Sequence, residues 1–235
     1  MRIAAHPSPN HGPRRGGAVP DMVVIHYTAM ETAEAALARL SDPAAEVSAH
    51  YLVDASGTVF ELVPEDARAW HAGRGAWGDV RDVNSRSIGI ELANPGPLAA
   101  LPPFPASQMT ALETLLAGVR ARWAIPPERV IGHSDMAPDR KADPGPKFDW
   151  RRLALSGHGI WPCRRDAGGQ GFRTLAGRVG YVFPESADPE ADVLAAFRLR
   201  FRPHARGPLG DDDLACLADL AARWPVRLDR APVNP

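Results

Sequence analysis

Short runs of β-branched and apolar residues alternate with amphipathic segments along this chain, and this alternation limits the possible folds more than any other feature. The apolar runs at 22–25 (MVVI), 87–92 (SIGIEL) and 129–131 (RVI) are typical of buried strands. Apolar residues at helical spacing recur over 31–40 and 107–123. Strands and helices mixed in this order predict an α/β domain in which helices flank a mixed β-sheet.

Smaller features complete the expected fold. Two β-rich runs on either side of Ala55-Ser56-Gly57 predict a hairpin over 49–63. We expect Ser107 to cap the helix that ends near Trp123. Residues 1–20 are polar and rich in Pro and Gly, and they predict an extended arm on the surface.

The composition shifts around Ala167-Gly168-Gly169, and three apolar-periodic segments follow at 172–180, 188–201 and 211–224. These segments predict a small all-α domain of three helices. The expected division is therefore 1–168 for the α/β domain and 169–235 for the helical one.

Charge and composition exclude several classes of protein. The formal net charge is −1, from 27 Lys and Arg against 28 Asp and Glu, which argues against binding nucleic acid or a membrane surface through bulk charge. No run of roughly 18 apolar residues predicts a membrane span. The N-terminus shows no apolar signal segment, so a cytoplasmic protein is expected. A monomer is expected as well. Cys163 and Cys216 are expected to be reduced, with a single bridge between them as the alternative.

Three histidines are placed where functional sites are commonly built. His26 and His133 each end a predicted strand, and His50 begins the hairpin. Taken singly, each histidine is more often structural or merely exposed than a metal ligand. A lone Asp143 before a proline is also weak evidence, because an aspartate there usually starts a turn.

Read with their flanking residues, these positions form a specific pattern. Five segments occur in order: VIHYTA at 24–29, SAHYLVD at 48–54, RAWHAG at 68–73, SIGIELAN at 87–94 and IGHSDMAPDRKADPGPKFDW at 131–150. Over about residues 15–162 the chain resembles the zinc-dependent N-acetylmuramoyl-L-alanine amidases of the AmpD-like family, and most closely their AmiD branch. The last segment carries most of the resemblance, because its Lys, Asp and Gly-Pro stand at fixed offsets.

The resemblance implies a role for each of five residues. His26, His133 and Asp143 match the family's zinc ligands, and Glu91 and Lys141 match its catalytic carboxylate and lysine. Two imidazoles and one carboxylate would hold one Zn²⁺ per chain and leave one coordination position open, as in catalytic sites. The implied reaction is hydrolysis of the amide between N-acetylmuramic or anhydro-muramic acid and L-alanine, in peptidoglycan or in muropeptides.

Six further residues are candidates for substrate binding: Tyr51, His50, Trp70, His71, Arg86 and Asn94. Aromatic faces suit sugar rings, and imidazole, guanidinium and amide groups can bind hydroxyls or carboxylates. Packing is an equally good interpretation of Trp70, and His50 could instead brace its loop.

Alternatives remain open at this point. A non-catalytic peptidoglycan-recognition module is the second hypothesis, while a structural zinc domain would need four ligands, usually with cysteine. The C-terminal segment resembles three-helix peptidoglycan-binding domains, but Phe197-Arg198 and Arg206-Gly207 depart from their usual pattern. Those helices could instead be a packing appendage. The AmiD-like branch favours a periplasmic or exported protein, and the choice between intact sacculus and soluble muropeptide stays open.

Overall fold

The computed structural model describes residues 3–226, and its centre is a six-stranded mixed sheet. Residues 1–2 and 227–235, which the expected domain division includes, lie outside the described residues. The eight strands are β1 (Ile3–Ala5), β2 (His11–Pro13), β3 (Met22–Tyr27), β4 (Tyr51–Val53), β5 (Val59–Glu61), β6 (Ala67–Ala69), β7 (Ser87–Leu92) and β8 (Val130–Gly132). The large sheet has the order β1-β5-β4-β7-β3-β8, and β2 pairs with β6 in a separate ribbon.

The centre of the sheet is parallel. Strand β3 pairs in parallel with β7 on one side and with β8 on the other, and β4 pairs in parallel with β7. The antiparallel pairing of β4 with β5 confirms the predicted hairpin. The segment expected as an extended surface arm over residues 1–20 is mostly exposed over 3–19, but it is joined to the sheets: β1 adds a parallel edge strand beside β5, and β2 pairs with β6.

Eight helices are described: α1 (Ala33–Ser41), α2 (Val83–Arg86), α3 (Ala106–Trp123), α4 (His133–Met136), α5 (Trp150–Leu155), α6 (Phe172–Val179), α7 (Pro189–Phe201) and α8 (Asp211–Arg223). The mixed sheet with flanking helices and the three C-terminal helices confirm the predicted fold class. The capping role expected for Ser107 is wrong. Pro105 precedes the first residue of α3, and the Ser107 hydroxyl donates to the Ala55 carbonyl instead.

Different helices pack on the two faces of the sheet. Ile88, Ile90 and Leu92 of β7 face α3 in one apolar cluster, as the alternation in this strand predicts. Met22 and Val24 of β3 lie on the opposite face and share a second cluster with residues of α6, α7 and α8. The C-terminal helices therefore pack on the face of β3 that also carries His26, two residues beyond Val24.

No helix within residues 3–226 is long and apolar enough to cross a lipid bilayer. Cys163 and Cys216 are both free thiols, as expected from their spacing in the sequence.

The core of the α3 face provides a test of this packing. Leu112 of α3 is fully buried, so Leu112→Ala should lower the free energy of unfolding by about 2–5 kcal/mol through lost burial and a residual cavity. Leu155 of α5 is 81% exposed, and Leu155→Ala should change it by less than about 0.5 kcal/mol. Urea denaturation of both variants measures the difference, and equal losses would contradict the assignment of the core.

Candidate metal centre

Parallel pairing brings two histidines to one edge of the sheet. His26 stands near the end of β3, and His133 follows the last residue of β8. Because β3 and β8 are parallel neighbours, their carboxyl ends lie side by side. The third residue, Asp143, comes from the loop after α4, and its carbonyl accepts a hydrogen bond of 2.9 Å from the Ser134 amide. That bond ties the loop to the turn that carries His133.

Three potential ligand atoms converge at this edge. The Nδ1 atoms of His26 and His133 are 2.9 Å apart, and each lies 3.1 Å from Oδ2 of Asp143. All three residues are buried. Two imidazole nitrogens and a carboxylate oxygen this close together form a group that could hold a metal ion.

Hydrogen bonding prepares His133 to act as a ligand. Its Nε2 lies 2.9 Å from the carbonyl oxygen of Ala72, which can only accept. The ring proton therefore belongs on Nε2, and Nδ1 presents a lone pair to the centre. This pairing of a ligand with a backbone carbonyl is a common way of fixing the tautomer at metal sites.

A longer chain of hydrogen bonds does the same for His26. The Ser87 hydroxyl donates to the Val83 carbonyl at 2.6 Å, so its oxygen is free to accept from Nε2 of His71 at 3.1 Å. Nδ1 of His71 then accepts from Nε2 of His26 at 3.0 Å. This leaves Nδ1 of His26 unprotonated and directed at the centre. Sequence reasoning missed Ser87, although its place on the Glu91 face of an alternating strand could have indicated it.

His71 fits in this position because Gly89 has no side chain. A Cβ atom at Gly89 would lie 2.4 Å from Cγ of His71, well inside contact distance. The Asn84 side-chain oxygen accepts from the amides of His71 and Ala72, at 3.0 and 2.8 Å, and holds the loop in place.

Electrostatics favour the protonation states that a cation requires. Burial and the neighbouring His133 lower the pKa of His26 to about 4, so this ring is neutral at pH 7. Burial raises the pKa of Asp143, but its interactions with His133 and His26 outweigh that effect and bring the pKa well below its ordinary value. The centre therefore combines a neutral His26 with an ionised carboxylate.

Glu91 borders the same centre. It is the register partner of His26 on the adjacent strand, so both side chains lie on one face of the sheet. Its Oε2 atom is buried and has no hydrogen-bond partner among the described residues. Burial and the charge of Asp143 raise the pKa of Glu91 to about 8, against the opposing charge of Lys141.

The three ligand candidates line a cleft of about 510 Å³. Glu91, Lys141, Trp70 and His71 line this cleft, together with the exposed Arg39 of α1. Four of the residues predicted from the sequence to surround the site are thus brought together with the three ligand candidates.

Two other candidate substrate-binding residues lie away from the cleft. The Tyr51 hydroxyl donates to Glu65 at 2.8 Å. His50 is fully buried, and its Nδ1 accepts from the Gly89 amide at 2.9 Å. His50 is therefore bonded to β7 beside His71, whereas the sequence suggested that it could brace its loop.

The remaining two candidates are engaged elsewhere as well. Arg86 forms an ion pair with Asp21, and the side-chain amide of Asn94 donates to the Pro102 carbonyl at 3.0 Å. Neither residue lines the cleft. Arg86 precedes β7, at the end of the strand away from the centre, and Asn94 follows its carboxyl end but is turned to the Pro102 carbonyl.

The chain from Ser87 to His26 provides a test that is independent of turnover. Ser87→Ala removes the acceptor for His71, so His26 loses its fixed tautomer, and metal affinity should fall about 10- to 100-fold. Ser8→Ala is the matched control, because the Ser8 hydroxyl is also buried and donates to a backbone carbonyl, that of Leu40, but has no hydrogen bond to a ligand candidate or to its partners. Competition with a chromogenic chelator measures both affinities. Equal affinities for Ser87→Ala and the wild type would remove Ser87 from the site.

Comparison with known proteins identifies the class to which this fold and centre belong. The family model described as N-acetylmuramoyl-L-alanine amidase matches residues 16–146, which is more than half of the chain. The chain belongs to the N-acetylmuramoyl-L-alanine amidase family, and it is an amidase, a hydrolase of peptidoglycan-related amides.

Particular relatives extend the likeness beyond the family match. The chain is 36% identical to the amidase AmiD of Escherichia coli (strain K12) over 225 residues, covering 84% of this chain and 80% of AmiD. The AmiD structure, a complex with anhydro-N-acetylmuramic acid-L-Ala-D-gamma-Glu-L-Lys, superposes with a TM-score of 0.77 at 35% identity, covering 89% and 92% of the two chains. AmpDh3 of Pseudomonas aeruginosa, in complex with an anhydromuramic pentapeptide, gives a TM-score of 0.79 at 32% identity over 90% and 95%.

Proposed function

We propose that this enzyme hydrolyses the amide bond between N-acetylmuramic acid, or its anhydro form, and the L-alanine of the stem peptide. One observation carries the proposal: three buried ligand atoms converge in an open cleft that Glu91 and Lys141 also line. The relatives AmiD and AmpDh3 were crystallised with anhydromuramic peptides, which supports this class of substrate.

We infer that the metal is Zn²⁺, one per chain, held by His26, His133 and Asp143. The donor set suits zinc, because two imidazole nitrogens and one carboxylate oxygen are its usual ligands in hydrolases and leave one coordination position open. Neither Cys163 nor Cys216 belongs to this group of ligand atoms. When bound, Zn²⁺ would supply a Lewis acid that lowers the pKa of a coordinated water to about 7.

Glu91 is the proposed general base. Its carboxylate lines the cleft next to His26 in register, and its buried Oε2 is free to accept a proton from the attacking water. A pKa of about 8 would leave Glu91 mostly protonated at neutral pH, but a divalent cation beside it would lower that value and restore the carboxylate.

Lys141 is the proposed oxyanion donor. It is exposed to the cleft two residues before Asp143, and its backbone amide donates to the Ala137 carbonyl at 3.0 Å. Within residues 3–226 its ammonium group forms no hydrogen bond or ion pair with the protein. It can therefore donate to the negative charge that develops on the amide oxygen of the substrate.

Trp70 is the proposed wall for the sugar ring, since it is half-buried and borders the cleft. Both ring nitrogens of His71 are used by His26 and Ser87, which supports a positioning role for His71 instead of a contact with substrate. The other candidates for substrate binding are bonded to protein groups outside the cleft, which supports roles away from the substrate. They are Tyr51, His50, Arg86 and Asn94.

We keep the division into a catalytic unit over 1–168 and a helical unit over 169–235 as a proposal. Two roles were considered for the helices, binding of peptidoglycan and packing against the enzyme. The apolar cluster that joins Met22 and Val24 to the helices supports the packing role.

Replacement of Glu91 tests the proposed reaction. Glu91→Gln should bind one equivalent of zinc as the wild type does and lose about 10²- to 10⁴-fold in turnover, because only the base is removed. Glu61→Gln is the control, since Glu61 is also a strand glutamate but lies outside the cleft. The assay is mass spectrometry of digests of intact sacculi and of purified anhydro-muropeptides, which also shows which form is the substrate.

The outcomes separate the parts of the proposal. Loss of zinc from Glu91→Gln would make Glu91 a ligand and not the base. Turnover by metal-free wild-type protein would refute the zinc-dependent mechanism. Products cut at another bond would refute the proposed substrate linkage.

A further inference from the structure

The short helix α4 begins with the ligand candidate His133, and a buried carboxylate caps its N-terminus. Asp135 stands two residues after His133 and is 1% exposed. Its Oδ2 accepts a hydrogen bond of 2.8 Å from the Gly132 amide, at the residue that precedes the helix. This bond fixes the turn from β8 into α4, and His133 is the first residue after the turn.

Both oxygens of Asp135 are also held by the C-terminal helices. Arg200 of α7 donates from Nη1 to Oδ2 at 2.8 Å, and the hydroxyl of Tyr181, between α6 and α7, donates to Oδ1 at 2.7 Å. Arg200 and Tyr181 are each 2% exposed. The two donors therefore reach a side chain beside the metal centre without contact with solvent.

Arg200 forms hydrogen bonds to two residues of the segment around His133. Besides Asp135, its Nη2 donates to the Val130 carbonyl, at the start of β8, at 2.8 Å. The guanidinium also stacks over the ring of Trp150, 4.5 Å from its centroid. Two hydrogen bonds and one stacked face hold this guanidinium between β8 and α4, so it restrains the backbone before and after His133.

The charge of Asp135 makes this arrangement necessary. A carboxylate buried without a cation would carry a desolvation penalty that the two hydrogen bonds from neutral groups, the Gly132 amide and the Tyr181 hydroxyl, do not fully offset. Within the described chain, Arg200 is the only cation paired with it. Tyr181 and Arg200 both lie beyond residue 146, where the match to the family model ends.

We propose that Arg200 and Tyr181 are positioning residues for the metal ligand His133, so that α6 and α7 complete the metal centre through Asp135. The proposal rests on the zinc site of the proposed function. It gives the helical unit a role in metal binding by the catalytic unit, whether or not the helices also contact the cell wall.

The chain contains a matched control for this arrangement. Helix α8 has a similar N-terminus, because Asp213 accepts from the Gly210 amide at 3.1 Å and is held by Arg198 and Arg202. Arg198 lies on α7, two residues before Arg200, but no ligand candidate lies on α8. Arg198→Met and Arg200→Met thus each remove one ion pair from a buried aspartate near a helix start. Asp213 keeps Arg202 whereas Asp135 loses its cation, and only the pair of Arg200 adjoins the metal centre.

The test measures zinc affinity by chelator competition in the full-length protein, with thermal unfolding in parallel. Arg198→Met and Arg200→Met should both lower Tm. Only Arg200→Met should weaken zinc binding, by about 10- to 100-fold, the usual effect of losing a group that orients a ligand. Tyr181→Phe removes one hydroxyl and should weaken zinc binding in the same direction with a smaller effect on Tm. It decides the question if Arg200→Met does not fold.

Three outcomes would overturn the proposal. Wild-type zinc affinity in Tyr181→Phe and in folded Arg200→Met would show that the helices only stabilise the fold. An equal loss of affinity in Arg198→Met would assign the effect to general destabilisation. A wild-type protein that binds no zinc would refute the proposed function as well, whereas the first two outcomes leave the proposed function standing.

Discussion

The parallel pairing of β3 with β7 and β8 is the constraint on which the candidate site depends. It sets His26, Glu91 and His133 side by side at one edge of the sheet, although they are far apart in the chain. Asp143 then needs only a short loop from α4 to reach them. A change in the register of β7 by one residue would turn Glu91 toward α3, away from His26.

Both histidine ligand candidates are oriented by partners that are not themselves ligand candidates. The Ala72 carbonyl sets the tautomer of His133, and the chain through His71 and Ser87 sets that of His26. Such partners are expected where a reaction needs groups fixed within a few tenths of an ångström. The contact of Asp135 with Arg200 extends this support to the C-terminal helices, which share the apolar face of β3.

How much of the site could be predicted from the sequence depends on whether each feature is set by neighbouring residues or by residues distant in the chain. Strand alternation is local, and it is enough to place Glu91 on the face opposite Ile88 and Ile90. The same rule explains why Tyr51 lies away from the cleft, because its register partner is Ile90. The edge pairing of β1 and the partners of Asp135 depend on residues distant in sequence, and no local pattern encodes them. Segments as short as α4 also carry too few residues for helical periodicity to appear.

X-ray absorption spectroscopy of the zinc-loaded protein tests the central claim most directly, because it reports the atoms around the metal and requires no substrate. The account predicts a first shell of nitrogen and oxygen alone at about 2.0–2.1 Å, with the outer scattering of two imidazoles. In His26→Ala, the signal of one imidazole should disappear or the zinc should be lost. A sulfur neighbour at about 2.3 Å, or a spectrum unchanged by His26→Ala, would contradict the assignment of His26, His133 and Asp143 as the metal centre.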